Sequence, residues 1–247
     1  MQSFNEASIE PTALKSTLQV HDALNSKLWN EDGLKVDVHV ALLKAAKAFV
    51  NFLDLPSLEV VDVILTGSNA SYNYTKFSDL DVHIIVSYDD TSFPELAENF
   101  FATKKSLWNE THAIHIKDYA VEMYVEDTAQ PVKALGVYSL LNDEWVKKPT
   151  LDGKPAWDDR AVSAKVEYLA TKIDELLDDH ADDKDKIDAA IDRIRAMRKS
   201  ALADGGEFST ENLAFKGLRN LGYMDRLYAA RMEAEDRELS LEGVETP

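Results

Sequence analysis

"LTGSNASYNYTKFSDLDVHIIV", residues 65–86, sets two strand-like runs on either side of a polar loop, with Gly67-Ser68 at one end of the loop and Asp79-Leu80-Asp81 at the other. The fold and chemistry of the chain turn on whether this is an ordinary hairpin with surface aspartates or a site for phosphate and metal. Alternate residues of a strand share a face, so Asp79, Asp81 and His83 are expected to point one way and Leu80, Val82 and Ile84 the other. Two carboxylates held side by side repel and raise each other's proton affinity, a cost that a divalent cation removes. Carboxylate oxygens suit magnesium, which commonly takes one or two of them together with substrate phosphates and water. At the other end of the loop, a glycine lets backbone approach a ligand closely, and a serine hydroxyl can donate to a phosphate oxygen.

The flanking sequence supplies a context for this hairpin. Upstream, "VDVHVALLKAAKAFVNFLDL" carries Val38, Leu42, Ala45, Phe49 and Leu53 at three- and four-residue steps, which predicts an amphipathic helix ending before Pro56. "EVVDVILT" and "LDVHIIV" are short and rich in β-branched residues and read as strands. Downstream, "FPELAENFFATKKSLWNE" is helical on the spacing of Leu96, Phe100 and Leu107. "HAIHIKDYAVEMYVED" reads as two strands around a turn at Lys117 and Asp118, and "GVYSLLNDEWV" as a hairpin turning at Asn142 and Asp143.

From about Trp157 strand-like alternation gives way to charged helical patterns: "SAKVEYLATKIDELLDDH", "DKIDAAIDRIRAMRKSALA" and "ENLAFKGLRNLGYMDRLYAARMEAEDREL", the last two separated by "ADGG" at 203–206. "TLDGKPA" has the Gly and Pro of a linker. The expected organisation is an α+β sheet domain over residues 1–152 followed by a helical subdomain over 153–247.

Composition narrows the function classes. A chain of 247 residues with 45% apolar content can bury a sizeable core. Its 27 Lys+Arg against 45 Asp+Glu give a formal charge of −18, which repels phosphate backbones and argues against an extended nucleic-acid surface. With no cysteine, disulfides and thiolate metal sites are excluded. The first residues lack the basic start and apolar run of a signal peptide, and no stretch approaches the roughly 20 apolar residues of a membrane span, so a cytoplasmic protein without a membrane partner is expected.

The order hydrophobic strand, Gly67-Ser68, polar loop, Asp79-Leu80-Asp81 and apolar strand resembles the signature of the DNA polymerase β-like nucleotidyltransferase superfamily. "LNSKLWNEDGLKVDVHVALLKAAKAFVNFL", "GVYSLLNDEWV" and "GGEFSTENLAFKGLRN" are further similar to predicted nucleotidyltransferases encoded by bacteriophages. The resemblance implies a mixed antiparallel and parallel sheet core with flanking helices. It also implies a reaction in which a nucleoside monophosphate passes from a nucleoside triphosphate to an acceptor hydroxyl with release of pyrophosphate. An RNA 3′ end, a protein and a small molecule are the three acceptor classes open to such a reaction. On this resemblance Gly67 and Ser68 hold the triphosphate, and Asp79, Asp81 and a third carboxylate bind Mg2+ (or Mn2+). Glu122, flanked by Val121 and Met123 in "YAVEMYVED", is the leading third acid and Glu126, on the same face, the second choice.

Cations for the triphosphate are sought in the helical segment. Arg193, Arg195, Arg198 and Lys199 fall on one helix, and Lys216 and Arg219 lie three apart on the next; the latter pair, inside a stretch that resembles the family, are the choice. His83 reads as a packed neighbour of the aspartates. His112 and His115, on opposite faces of an expected strand, cannot jointly hold a metal. Tyr72 and Tyr138 are candidates to stack on a base, with a core position the expected fate of Tyr138. The alternatives to an active transferase are a nucleotide-binding module that transfers nothing and an antitoxin-like or viral interaction protein.

Overall fold

The computed structural model describes residues 18–87, 94–130, 132, 134–150 and 157–240. Two compact units divide the chain, one Gln19–Lys154 and the other Met1–Leu18 together with Pro155–Pro247. Of the linker expected at 150–156, residues 151–156 lie outside the described residues.

The first unit is mixed α+β. Its described elements are α1 (Val36–Leu53), β1 (Val60–Thr66), a single 3-10 turn (Ser68–Ala70), β2 (Leu80–Val86), α2 (Pro94–Thr111), β3 (His115–Ile116), β4 (Tyr119–Asp127), β5 (Val137–Ser139) and β6 (Glu144–Lys147). The strands form one six-stranded sheet in the order β3-β4-β2-β1-β5-β6. The β2–β4 pair is parallel and the other pairs are antiparallel. A parallel neighbour cannot be reached through a tight turn, and α2 occupies the connection from β2 to β4.

The period-two pattern of β2 is realised: Leu80, Val82, Ile84 and Val86 are fully buried, while Asp81, His83 and Ile85 are partly exposed. In β4 the buried Tyr119, Val121 and Met123 alternate in the same way with Ala120, Glu122 and Tyr124. All five residues of the α1 stripe, Val38, Leu42, Ala45, Phe49 and Leu53, are buried in the core that these strands share. The helix stops where Asp54 takes left-handed backbone (φ 57°), two residues before Pro56.

Two expectations change in detail. In α2 the stripe Leu96, Phe100 and Leu107 faces outward, and Phe101 and Trp108 are the buried residues. An apolar period places a helix but not its rotation when the true inner face mixes alanine and large aromatics: Trp108 packs edge-on to Phe49 with ring centres 5.4 Å apart. His112 follows α2 and is not on a strand; its ring stacks on Trp108 at 3.7 Å. The two turns are as read. Lys117 and Asp118 both have positive φ (52° and 72°) between β3 and β4, and Asp143 (φ 56°) turns β5 into β6.

The second unit is helical: α3 (Asp159–His180), α4 (Lys184–Asp204), α5 (Thr210–Asn220) and α6 (Tyr223–Leu239). Its core contains Val166, Ile187, Leu218 and Leu227, all fully buried, and Leu18 packs against it. Asp158 caps α3 by accepting from the backbone N–H of Arg160 and Ala161, and Asp183 caps α4 through Lys186. The last apolar pattern is two helices rather than one, because Gly222 (φ 80°) interrupts it between Leu221 and Tyr223. Among the described residues no helix is long and apolar enough to cross a membrane.

Candidate functional site

The polar face of β2 and β4 gathers the acidic residues. The parallel register puts Asp81 opposite Glu122 and His83 opposite Tyr124. Asp79 immediately precedes β2, and Thr66, the last residue of β1, stands opposite Asp81. Glu126 lies further along β4, opposite Ile85, and its Oε1 is 2.8 Å from His83 Nδ1. Of the two acids considered for the third position, Glu122 is therefore the one aligned with Asp81, and Glu126 is engaged with His83.

Gly67 joins β1 to this face in a way its residue type alone did not show. Its backbone (φ 78°, ψ −165°) is a conformation essentially reserved for glycine. A Cβ built there falls 1.8 Å from Asp81 Oδ2 and 2.8 Å from its Cγ. The missing side chain leaves space for the Asp81 carboxylate itself, so glycine and aspartate are one device.

The loop between the strands is braced by polar side chains. Ser68 Oγ donates to Ser78 Oγ (2.7 Å), and Ser78 Oγ also accepts from the Thr75 N–H (2.9 Å). Asn69, fully buried, donates through Nδ2 to the carbonyl of Asp79 (3.0 Å), accepts at Oδ1 from Asn25 (2.9 Å), and offers its own carbonyl to Trp29 Nε1 (2.7 Å). Asn69 thereby fixes the backbone from which the Asp79 side chain leaves, a positioning role that sequence reading missed. A buried amide with all its partners is a strong orienting element because leaving any of them unpaired is costly.

Tyr124 and Lys105 complete the face. Tyr124 donates its hydroxyl to Glu122 Oε2 (2.5 Å), and its ring stacks on His83 at 4.5 Å. Burial raises its phenol above the usual range, and the negative charges of Asp81, Glu122 and Asp79 raise it further, so Tyr124 remains a donor. The Lys105 ammonium lies over the Tyr124 ring, 4.1 Å from its centre. Desolvation holds Lys105 below the ordinary lysine value, while Glu122, Asp81 and Glu126 pull the other way. Glu126 is held below the usual carboxylate range by His83 first, against the opposing cost of burial, with Lys105 adding to the lowering.

Neither residue stood out in the sequence. Lys105 reaches this face because Asn109, one turn later on α2, pairs with the backbone of β4. Its Nδ2 donates to the Met123 carbonyl (3.1 Å) and its Oδ1 accepts from the Met123 N–H (3.0 Å), as a neighbouring strand would.

Lys216 and Arg219 are on α5 of the helical unit, where the Lys216 ammonium is bridged to Glu207. Tyr138 is buried and stacks edge-on against Trp29 and Trp145; its hydroxyl donates to Asp143 (2.8 Å), and burial followed by that bond pushes it up to about 12. Tyr72 accepts the His21 N–H at its carbonyl and keeps a partly exposed side chain. In the side-chain positions observed, no three His, Asp or Glu among the described residues are gathered closely enough to hold a metal ion.

No family model and no curated protein matches this chain. One solved structure that is similar to it is the STING-associated CdnE c-di-GMP synthase from Capnocytophaga granulosa, 11% identical over 83% of this chain and 84% of that one, with a TM-score of 0.21. A superposition that loose fixes neither fold nor activity.

Proposed function

We propose that this chain is a metal-dependent nucleotidyltransferase of the DNA polymerase β-like kind, moving a nucleoside monophosphate from a nucleoside triphosphate to an acceptor hydroxyl with release of pyrophosphate. The observation that supports this best is the alignment of Asp81 with Glu122 across the parallel β2–β4 pair, with Asp79 at the strand entrance and Gly67 shaped around the Asp81 carboxylate.

These carboxylates fit a hard divalent cation by donor chemistry: they are partly exposed oxygens on adjacent strands, in excess of the positive charge around them. Asp79, Asp81 and Glu122 would hold Mg2+ or Mn2+, which when bound supplies charge stabilisation to the attacking and leaving oxygens. The chain's own residues do the rest. Gly67 and Ser68 offer backbone N–H groups and a hydroxyl to the phosphates, and for that the Ser68 proton must leave Ser78. Asn69 keeps Asp79 in place, and Tyr124 fixes one oxygen of Glu122, leaving the other to face a ligand. Lys216 and Arg219 are proposed as further phosphate-binding cations, with Lys216 exchanging Glu207 for phosphate. Positioning and electrostatics carry reactions of this class, with little covalent work for the protein.

The test is incubation with each labelled nucleoside triphosphate, Mg2+ or Mn2+ and a cell extract, followed by identification of the labelled component. Asp79→Ala and Asp81→Ala are each expected to reduce transfer to below about one-hundredth while circular dichroism and melting stay close to wild type. Full activity in either variant removes the mechanism.

A second reading has one observation in its favour, the absence of a converged metal-holding set among the described residues. It is a module that binds nucleotide without transferring it. This predicts thermal stabilisation by a nucleoside triphosphate with no pyrophosphate released.

A further inference from the structure

The sheet face that carries Asp81 and Glu122 already contains a cation. Lys105 reaches it from α2, its ammonium over the face of Tyr124, whose hydroxyl is bonded to Glu122. The Lys105 side chain is partly buried, and Glu122, which accepts the Tyr124 hydroxyl, stands opposite Asp81 across the β2–β4 pair. Glu126, further along β4, is paired with His83. The arrangement of α2 makes this placement deliberate. Asn109 locks the helix to the Met123 backbone, so the residue one turn earlier is delivered to the same point of β4.

We propose that Lys105 is the resident counter-cation of this face and competes with divalent metal for Asp81 and Glu122. This inference rests on the nucleotidyltransferase reading for its purpose, since it makes metal loading conditional: the ammonium must withdraw before a cation can draw the carboxylates together. Lys105 is thus a positioning residue for the acids, acting on their charge.

The experiment measures Mn2+ binding to the full chain by the electron paramagnetic resonance signal of free Mn2+, in wild type, Lys105→Met and Lys105→Arg. Removing a unit charge this close strengthens cation binding, so Lys105→Met is expected to bind Mn2+ about tenfold more tightly. Lys105→Arg, which keeps the charge, stays near wild type and shows that any gain is electrostatic. Adding Asp81→Asn to Lys105→Met must abolish the gain, which places it at this site. Equal Mn2+ affinity in wild type and Lys105→Met, both folded by circular dichroism, overturns the inference. So does a gain that survives Asp81→Asn.

A parallel transfer assay separates the two readings. If wild type transfers nucleotide and Lys105→Met shows no change in Mn2+ affinity or in the Mn2+ concentration giving half-maximal rate, the counter-cation role falls and the enzymatic reading stands. If Lys105→Met binds Mn2+ more tightly but no variant transfers nucleotide, the counter-cation role stands and the enzymatic reading falls.

Discussion

Gly67 and Asp81 occupy the same small volume, and that makes Gly67 the most sensitive residue of the loop. Its φ of 78° with extended ψ costs any other residue about 1–3 kcal/mol. A methyl group at that point also collides with the Asp81 carboxylate. Gly67→Ala is therefore expected to lower stability by that amount in denaturant unfolding and to abolish transfer, since Asp81 must rotate away from Glu122. A variant that keeps its activity while losing stability would show that the Asp81 orientation is immaterial. Gly67, Asp79 and Asp81 were legible in the sequence because strand periodicity and residue chemistry are local properties. Asn69 was not, because its importance comes from Asn25, Trp29 and the Asp79 carbonyl, and two of those three are about 40 or more positions from it in the chain.

At the level of elements, the strands and turns follow closely from local pattern. β2 and β4 bury alternate residues, and the β3–β4 turn is made by two residues with positive φ. Helices were located but not fully oriented, as the outward Leu96, Phe100 and Leu107 of α2 show. Rotation depends on which neighbours the helix meets, and α2 is set by Asn109 on the edge of β4 and by Trp108 against Phe49 and Phe52. One helix start yields a pH prediction. Asp183 caps α4, and its carboxyl is held below the ordinary value chiefly by the Lys186 side chain and then by the Lys186 N–H. A depressed carboxyl stabilises the folded state above its unfolded pKa of 3.8, and that stabilisation is lost as pH falls through the lower folded value. Asp183→Ala is accordingly expected to melt below wild type at pH 7, and the gap should close as pH drops below about 3.8. A gap unchanged at low pH would mean the cap acts without its charge.

For the whole molecule, the described residues form two cores. Leu42, fully buried, belongs to the core of the sheet unit and Leu218, fully buried, to the core of the helical unit. Leu42→Ala and Leu218→Ala should each cost about 2–5 kcal/mol. Amide hydrogen exchange read by mass spectrometry should show protection falling first in the strands and α1 for Leu42→Ala, and first in α3 to α6 for Leu218→Ala. Equal loss across the chain from either change would show that the units open together. The excess of acid over base, 45 against 27, fits the same view, because the carboxylate face must hold its charge inside an already negative molecule. An internal cation at that face is then electrostatically valuable.

The amino-acid sequence by itself determined the α+β sheet followed by helices, the hairpin with its glycine and two aspartates, and the strand bearing Glu122. Each of these depends on the period of the chain and on residue chemistry within a few positions. Tertiary structure alone decided that β4 runs parallel to β2, which brings Glu122 level with Asp81, and that α2 delivers Lys105 to their face. Strand pairing and helix docking are settled by burial and hydrogen bonding between segments distant in the chain, and such contacts leave no periodic trace in the residues that make them.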